Sequence, residues 1–172
     1  MRRGIAYFII GIVAGLLLYH VFSPLIFPVV VAPVFSPENG DDIIALIDSA
    51  ETSIDIEMYV FTSRDVIEAL ERAKNRGVRI RIIIERSTIG GSNAETFQEL
   101  ASKGFNIRYA SSSYKLTHSK FMVVDGKAVL VGSHNFSNSA LYKNREASVI
   151  IRETAAVDEF SRVFEKDWAI AV

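Results

Sequence analysis

The polar and apolar positions of this chain fall into two regimes. From Ile5 to Phe22 the residues are apolar almost without interruption, and no Asp, Glu, Lys or Arg occurs between Arg3 and Glu38. Beyond Glu38 the pattern becomes periodic. Ile43, Ile44 and Ile47 share one face of a helix predicted over Asp41–Ala50, opened by Asp41 and Asp42. Ile54, Ile56, Met58 and Val60 alternate with Asp55, Glu57 and Tyr59, the period of a half-buried strand. From Asp65 a helix buries Val66, Ile67, Leu70 and Ala73 and stops at Gly77. Val78, Ile80, Ile82 and Ile84 alternate with Arg79 and Arg81 as a second strand. Ala94–Lys103 reads as a helix ended by Gly104, and Asn106–Ala110 as a third strand.

The later part of the chain changes character. Phe121–Val124 and Ala128–Val131 flank Asp125-Gly126, a pair that favours a tight hairpin turn. Glu146–Arg152 reads as a further strand and Thr154–Trp168 as a closing amphipathic helix. Strands alternating with helices predict an α/β fold, a mixed sheet with helices packed on it.

Composition sharpens the division. The chain has 172 residues, 49% of them hydrophobic, and no cysteine, which excludes disulfides and thiolate metal sites. The apolar run from Ile5, extended to Ser23 before Pro24, has about the 20 residues that a bilayer core requires. Residues 1–23 are therefore expected to be a transmembrane signal anchor, or alternatively an uncleaved signal peptide. Arg2 and Arg3 before the run and Glu38, Asp41 and Asp42 after it would place the domain on the extracytoplasmic side. All four prolines (24, 28, 33 and 37) lie in residues 24–37, the composition of an extended spacer. The folded domain is expected over 38–172. Without Arg2 and Arg3 the chain holds 17 basic residues against 20 acidic ones. That balance excludes a broad electrostatic footprint for nucleic acid, so any phosphate affinity is local.

The candidate chemistry sits at the hairpin. With Asp125-Gly126 as a two-residue turn, Val124 faces Lys127, Lys120 faces Val131 and His118 faces Ser133. His118 and Lys120, two apart, point to one side of the sheet, and Ser133 and Asn135 share that side if the extended path continues. Gly132 would leave room for a ligand to approach the backbone. An imidazole, an ammonium, a hydroxyl and an amide suit a phosphodiester. The lysine and the neutral donors meet the phosphorus oxygens, and imidazole can attack phosphorus or carry a proton. No Asp, Glu or His group shows metal-ligand spacing around them, which favours chemistry without a metal or other cofactor.

These residues resemble a known signature. His118-Ser119-Lys120, Asp125 and Gly132-Ser133-His134-Asn135 fill HxK(x)4D(x)6GSxN, the signature of the phospholipase D superfamily. Asp41 to Trp168 also resembles the single-motif bacterial endonucleases of that family. The resemblance implies an α-β-α sandwich with His118 as nucleophile, forming a phosphohistidine. Lys120, Ser133 and Asn135 would bind the phosphate, and Glu146 would orient the histidine. Asp125, although part of the signature, is expected to support structure because the count places it in the turn. The family's sites need two copies of the signature and this chain has one, so a homodimer sharing one active site is implied.

Other residues read more plainly. His20 and His134 are expected to be structural, Glu57 to lie on a solvated face, and Arg79 and Arg81 to be ordinary strand charges. For the substrate, likeness to the endonucleases favours DNA or RNA. The expected anchor and acidic balance favour a membrane phospholipid such as cardiolipin. A third reading, a silent nucleic-acid-binding module, requires that the intact signature serve no turnover.

Overall fold

The computed structural model describes residues 2–26, 31–88 and 92–172, with side chains in the first helix described at 5 and 7–19. The chain divides into two compact units, Met1–Val30 and Val31–Val172.

In the first unit, helix α1 spans Arg2–Ile26. Its described side chains, among them Tyr7, Phe8, Leu16 and Tyr19, are exposed. Among the described residues no helix is long and apolar enough to cross a membrane, which corrects the expected transmembrane anchor. The topology inferred from Arg2 and Arg3 loses its basis with the anchor.

The second unit starts with strand β1, Val31–Ser36. Residues 31–36 of the expected spacer are thus part of the sheet, and the compact unit begins upstream of Glu38, where the periodic pattern starts. Pro33 is tolerated because β1 is an edge strand, where a missing N–H removes no inner ladder bond. The chain continues through α2 (Asp41–Asp48), β2 (Ser53–Met58), α3 (Arg64–Asn75), β3 (Arg79–Ile84), α4 (Asn93–Ser102) and β4 (Asn106–Tyr109). The hairpin β5 (Lys120–Val124) and β6 (Ala128–Gly132) comes next, then α5 (Asn138–Tyr142), β7 (Glu146–Ile151) and α6 (Thr154–Ile170). The described strands form one mixed sheet ordered β1-β7-β6-β5-β2-β3-β4. β2, β3 and β4 run parallel, as strand–helix–strand crossovers require, and the hairpin attaches antiparallel to β2.

The period of two sorts the side chains between the faces. Ile54, Ile56, Ile82, Met122 and Leu130 point toward α2 and α3, packing with Ile43, Ile47, Val66 and Leu70. Ile83, Phe121, Val123 and Val129 point the other way, onto Val157 and Phe164 of α6. The layers are therefore α-β-α, as expected, but the second face carries α6 alone among the described helices of this unit. Under β1 and β7 no described helix of this unit covers that face: Val31 and Phe35 are 48% and 44% exposed, and Val149 and Ile151 are only partly buried.

Candidate active site

The hairpin positions the site, but not through the register that a two-residue turn implies. Asp125 and Gly126 have φ of +56° and +62°, and Lys127 N–H bonds to Val124 O at 2.9 Å, so the tight turn forms. Yet Val124 pairs with Ala128 and Phe121 with Val131. Lys127 is an extra residue on the returning arm, a bulge that shifts the ladder by one. Because the side-chain period is two, this shift takes Ser133 off the position opposite His118.

His118 lies two residues before Lys120, and its segment is clamped from both sides. Glu85 Oε2 accepts Thr117 N–H at 2.8 Å, while Tyr59 N–H donates to Ser119 O at 3.0 Å. Glu85 is itself fixed, accepting Ser87 N–H on Oε1 at 2.7 Å. The buried Asn93 ties these supports together, donating to Tyr59 O at 2.7 Å and Glu85 O at 2.8 Å and accepting Phe61 N–H at 2.8 Å. The imidazole of His118 rests against the Tyr59 ring, centroids 4.4 Å apart. Lys120 Nζ donates to His118 O at 2.9 Å and stands 3.3 and 3.4 Å from the two ring nitrogens. Partial burial lowers the Lys120 pKa, and the Glu146 charge opposes that shift.

On the other arm, Ser133 Oγ donates to Glu146 Oε2 at 2.5 Å and accepts Ala147 N–H at 3.0 Å. Asn144 Nδ2 donates to Glu146 Oε1 at 3.1 Å. Burial works against ionisation of Glu146, but those two bonds and the charges of His134 and Lys120 outweigh it, and its pKa is lowered. Both carboxylate oxygens are thus engaged, by Ser133 and Asn144. Asn135 Oδ1 accepts Val60 N–H at 3.2 Å, which places it beside Tyr59.

Two expectations, those for Gly132 and Glu57, need revision. Gly132 is exposed and lines the groove beside His118 and Lys120, but its missing side chain makes room for β7, since a Cβ there would collide with Ser148 Oγ and Cα and with Ala147 O. The space belongs to the neighbouring strand. Glu57 is not solvated but 1% exposed, because α6 covers that face of β2. Arg79 and Arg81 are committed to Asp55, and Arg81 also to Glu165, so neither is free for a substrate. Asp125 lies at the opposite end of β5 from Lys120, roughly 15 Å away at ~3.3 Å per residue. There its carboxylate accepts the N–H groups of Glu51, Thr52 and Ser53. His134 is buried with Nδ1 2.7 Å from Ser148 Oγ, and the side chain of His20 lies outside the described residues. The pattern gave no sign of Glu85, Asn93 or Tyr59. Their only signal is a polar residue in a stretch whose opposite face turns out to be covered.

Known proteins resemble this chain in sequence and in fold. A family model for the PLD-like domain of cardiolipin synthase matches residues 43–168. A mitochondrial cardiolipin hydrolase of Danio rerio is 32% identical over 122 residues, 70% of this chain and 52% of its own length. A phospholipase D of Rickettsia prowazekii is 28% identical over 132 residues, 76% of this chain and 63% of its own. The chain thus spans less than two thirds of either relative. Among solved structures, Nuc from Salmonella typhimurium, a phospholipase D family member, superposes with a TM-score of 0.77 at 32% identity. That match covers 84% of this chain and 97% of Nuc. NucT from Helicobacter pylori, at 22% identity and a TM-score of 0.70, shares the fold over 84% of this chain and 98% of its own.

Proposed function

The chain belongs to the phospholipase D-like family, and from that premise we propose that it is a phosphodiesterase cleaving DNA or RNA without a metal, through a phosphohistidine on His118. The observation that carries this reading is the Lys120 ammonium held 3.3 Å from the His118 ring, with Tyr59 behind it. A phosphate oxygen meeting Lys120 would bring phosphorus within reach of the imidazole. Ser133 and Asn135 supply further polar groups for the phosphorus oxygens. Glu146 acts by holding the Ser133 hydroxyl.

In the first step the imidazole attacks phosphorus, the bond to the leaving oxygen breaks, and that oxygen takes a proton. In the second, water gives up a proton as it attacks the phosphohistidine, and the His118–phosphorus bond breaks. One imidazole cannot be nucleophile and proton carrier at once, so the partner subunit's His118 is the proton carrier. The uncovered apolar face of β1 and β7, with Phe35 at 44% exposure, supports such a homodimer. Likeness to Nuc over nearly the whole of that chain supports nucleic acid as substrate.

A second reading, hydrolysis of a phospholipid such as cardiolipin, draws on one observation. A groove of about 440 Å3 beside His118 and Lys120 is walled by Phe121, Val131, Phe160 and Val163, a surface that an acyl chain would suit. The test is to offer the full chain, in EDTA, single- and double-stranded DNA, RNA and cardiolipin vesicles, with His118→Ala beside it. Cleavage of nucleic acid by the wild type alone is expected. Release of phosphatidic acid instead would replace the first reading by the second, and turnover of neither would leave a binding module.

A further inference from the structure

A second recess opens beside His118, away from the Lys120 groove. It holds about 190 Å3, and Glu57, Tyr114, Leu116, Ser119 and Asp167 are among its walls, with His118 at its edge. Among the described residues no lysine or arginine lines it. Its floor is unusual. Glu57 projects from the middle of β2 and is 1% exposed, yet its Oε2 finds no hydrogen-bond partner among the described residues. Burial raises the Glu57 pKa to about 7, against the pull of Ser119 and with the help of Asp167. Asp167, from the last turns of α6, is only partly buried, and its Oδ1 accepts the Tyr114 hydroxyl at 3.1 Å. The Tyr114 and Leu116 side chains at the rim are 51% and 44% exposed.

A set of acceptors without a cation, adjoining a centre that must bind a phosphate, repels an anionic backbone. It favours a group that presents N–H donors. Resting on the nucleic-acid reading above, we propose that this recess is a base subsite that takes a guanine neighbouring the scissile phosphate. The guanine N1–H and N2 amino groups donate side by side, and a carboxylate accepts two parallel N–H bonds. Asp167 is positioned for this by Tyr114, Glu57 lies behind it, and the exposed Tyr114 ring offers a stacking surface. On the same edge adenine and cytosine carry one amino group beside a ring acceptor, which a carboxylate repels. Uracil and thymine carry a single N–H between two carbonyls. The chemistry of the recess therefore selects guanine.

The experiment is digestion of randomised single-stranded DNA and RNA by the full chain in EDTA, with sequencing of the ends. Guanine is expected to be enriched about tenfold at one position flanking the cut. Inosine, which lacks the N2 amino group, at that position in a defined substrate should lower wild-type cleavage several-fold. Asp167→Asn and Glu57→Gln should lose the enrichment, a ratio within one pool that does not depend on how much total activity a variant keeps. Ends without base preference from an active wild type, or enrichment that survives both substitutions, would overturn the subsite and leave the nuclease reading intact. Failure of the wild type to cut any nucleic acid would remove both.

Discussion

Asp125→Ala separates two roles that the signature leaves entangled, support of the fold and participation in chemistry. The carboxylate accepts Glu51 N–H at 3.0 Å, Thr52 N–H at 2.7 Å, Ser53 N–H at 2.9 Å and the Thr52 hydroxyl at 2.9 Å. A hydrogen bond to a charged group contributes about 1.5–3 kcal/mol. Here the surroundings are partly open and the freed Glu51 and Thr52 groups can turn to water, so the loss is about 2–4 kcal/mol in all. For a domain of this size that is a fall in Tm of roughly 10 °C. Asp125→Asn keeps an Oδ1 acceptor and loses the charge, and should fall about half as far. The pH dependence follows from the same bonds. Burial opposes ionisation, but the N–H groups of Ser53, Thr52 and Glu51 outweigh it and hold the Asp125 pKa below its usual value. The group's contribution is therefore complete above the unfolded pKa of about 3.9 and is lost as pH falls through the lower folded value. Urea unfolding at neutral pH and below pH 3 should show the gap between wild type and Asp125→Ala closing in acid. Turnover measured well below both melting temperatures should persist in the variant. An unchanged Tm with turnover abolished would refute the structural assignment.

Glu85→Gln cannot accept both Ser87 and Thr117 through its remaining carbonyl oxygen. kcat should fall about 10–100-fold with little change in KM, since a small displacement of a positioned nucleophile is that costly. Gly132→Ala forces β6 away from Ser148 and should cost about 1–3 kcal/mol, read as a lower denaturant midpoint. Val149→Lys puts a charge on the uncovered face of β7. Light scattering should then give a monomer mass and specific activity should fall on dilution, whereas an active dimer would exclude this face as the interface.

What the sequence discloses and what it hides follow from the range of the interactions. The helices and inner strands are legible because each buries one face against the core, so their own periodicity reports them: Ile54, Ile56 and Met58 suffice for β2. β1 shows no polar alternation, contains Pro33, and exists as a strand only by pairing with β7, more than a hundred residues away. Glu57 and Glu85 read as solvent-facing because alternation says which residues share a face and not whether a helix covers it. Asn93, which ties the end of β2 to β3, precedes Ala94, where the apolar pattern of α4 begins, and looks like any residue at a helix start.

The geometry that the sequence implies for the candidate site departs from the observed one, and the hairpin explains the difference. One extra residue at Lys127 moved Ser133 out of the place that a two-residue turn assigned to it. Ser133 is instead fixed by β7: its N–H bonds to Ala147 O at 2.9 Å and its hydroxyl to Glu146. His118 and Lys120 are fixed by β2, where Lys120 pairs with Met58 and Ser119 bonds to Tyr59. Asp125 secures that second relation from the far end of the strand, since its carboxylate and its N–H both grip the start of β2 around Ser53. A slip of β5 against β2 would carry His118 off Tyr59, and the Asp125 clamp opposes such a slip. The aspartate of the signature can thus be required at a constant spacing from the histidine and lysine without touching a substrate. It sets the register that holds them over β2.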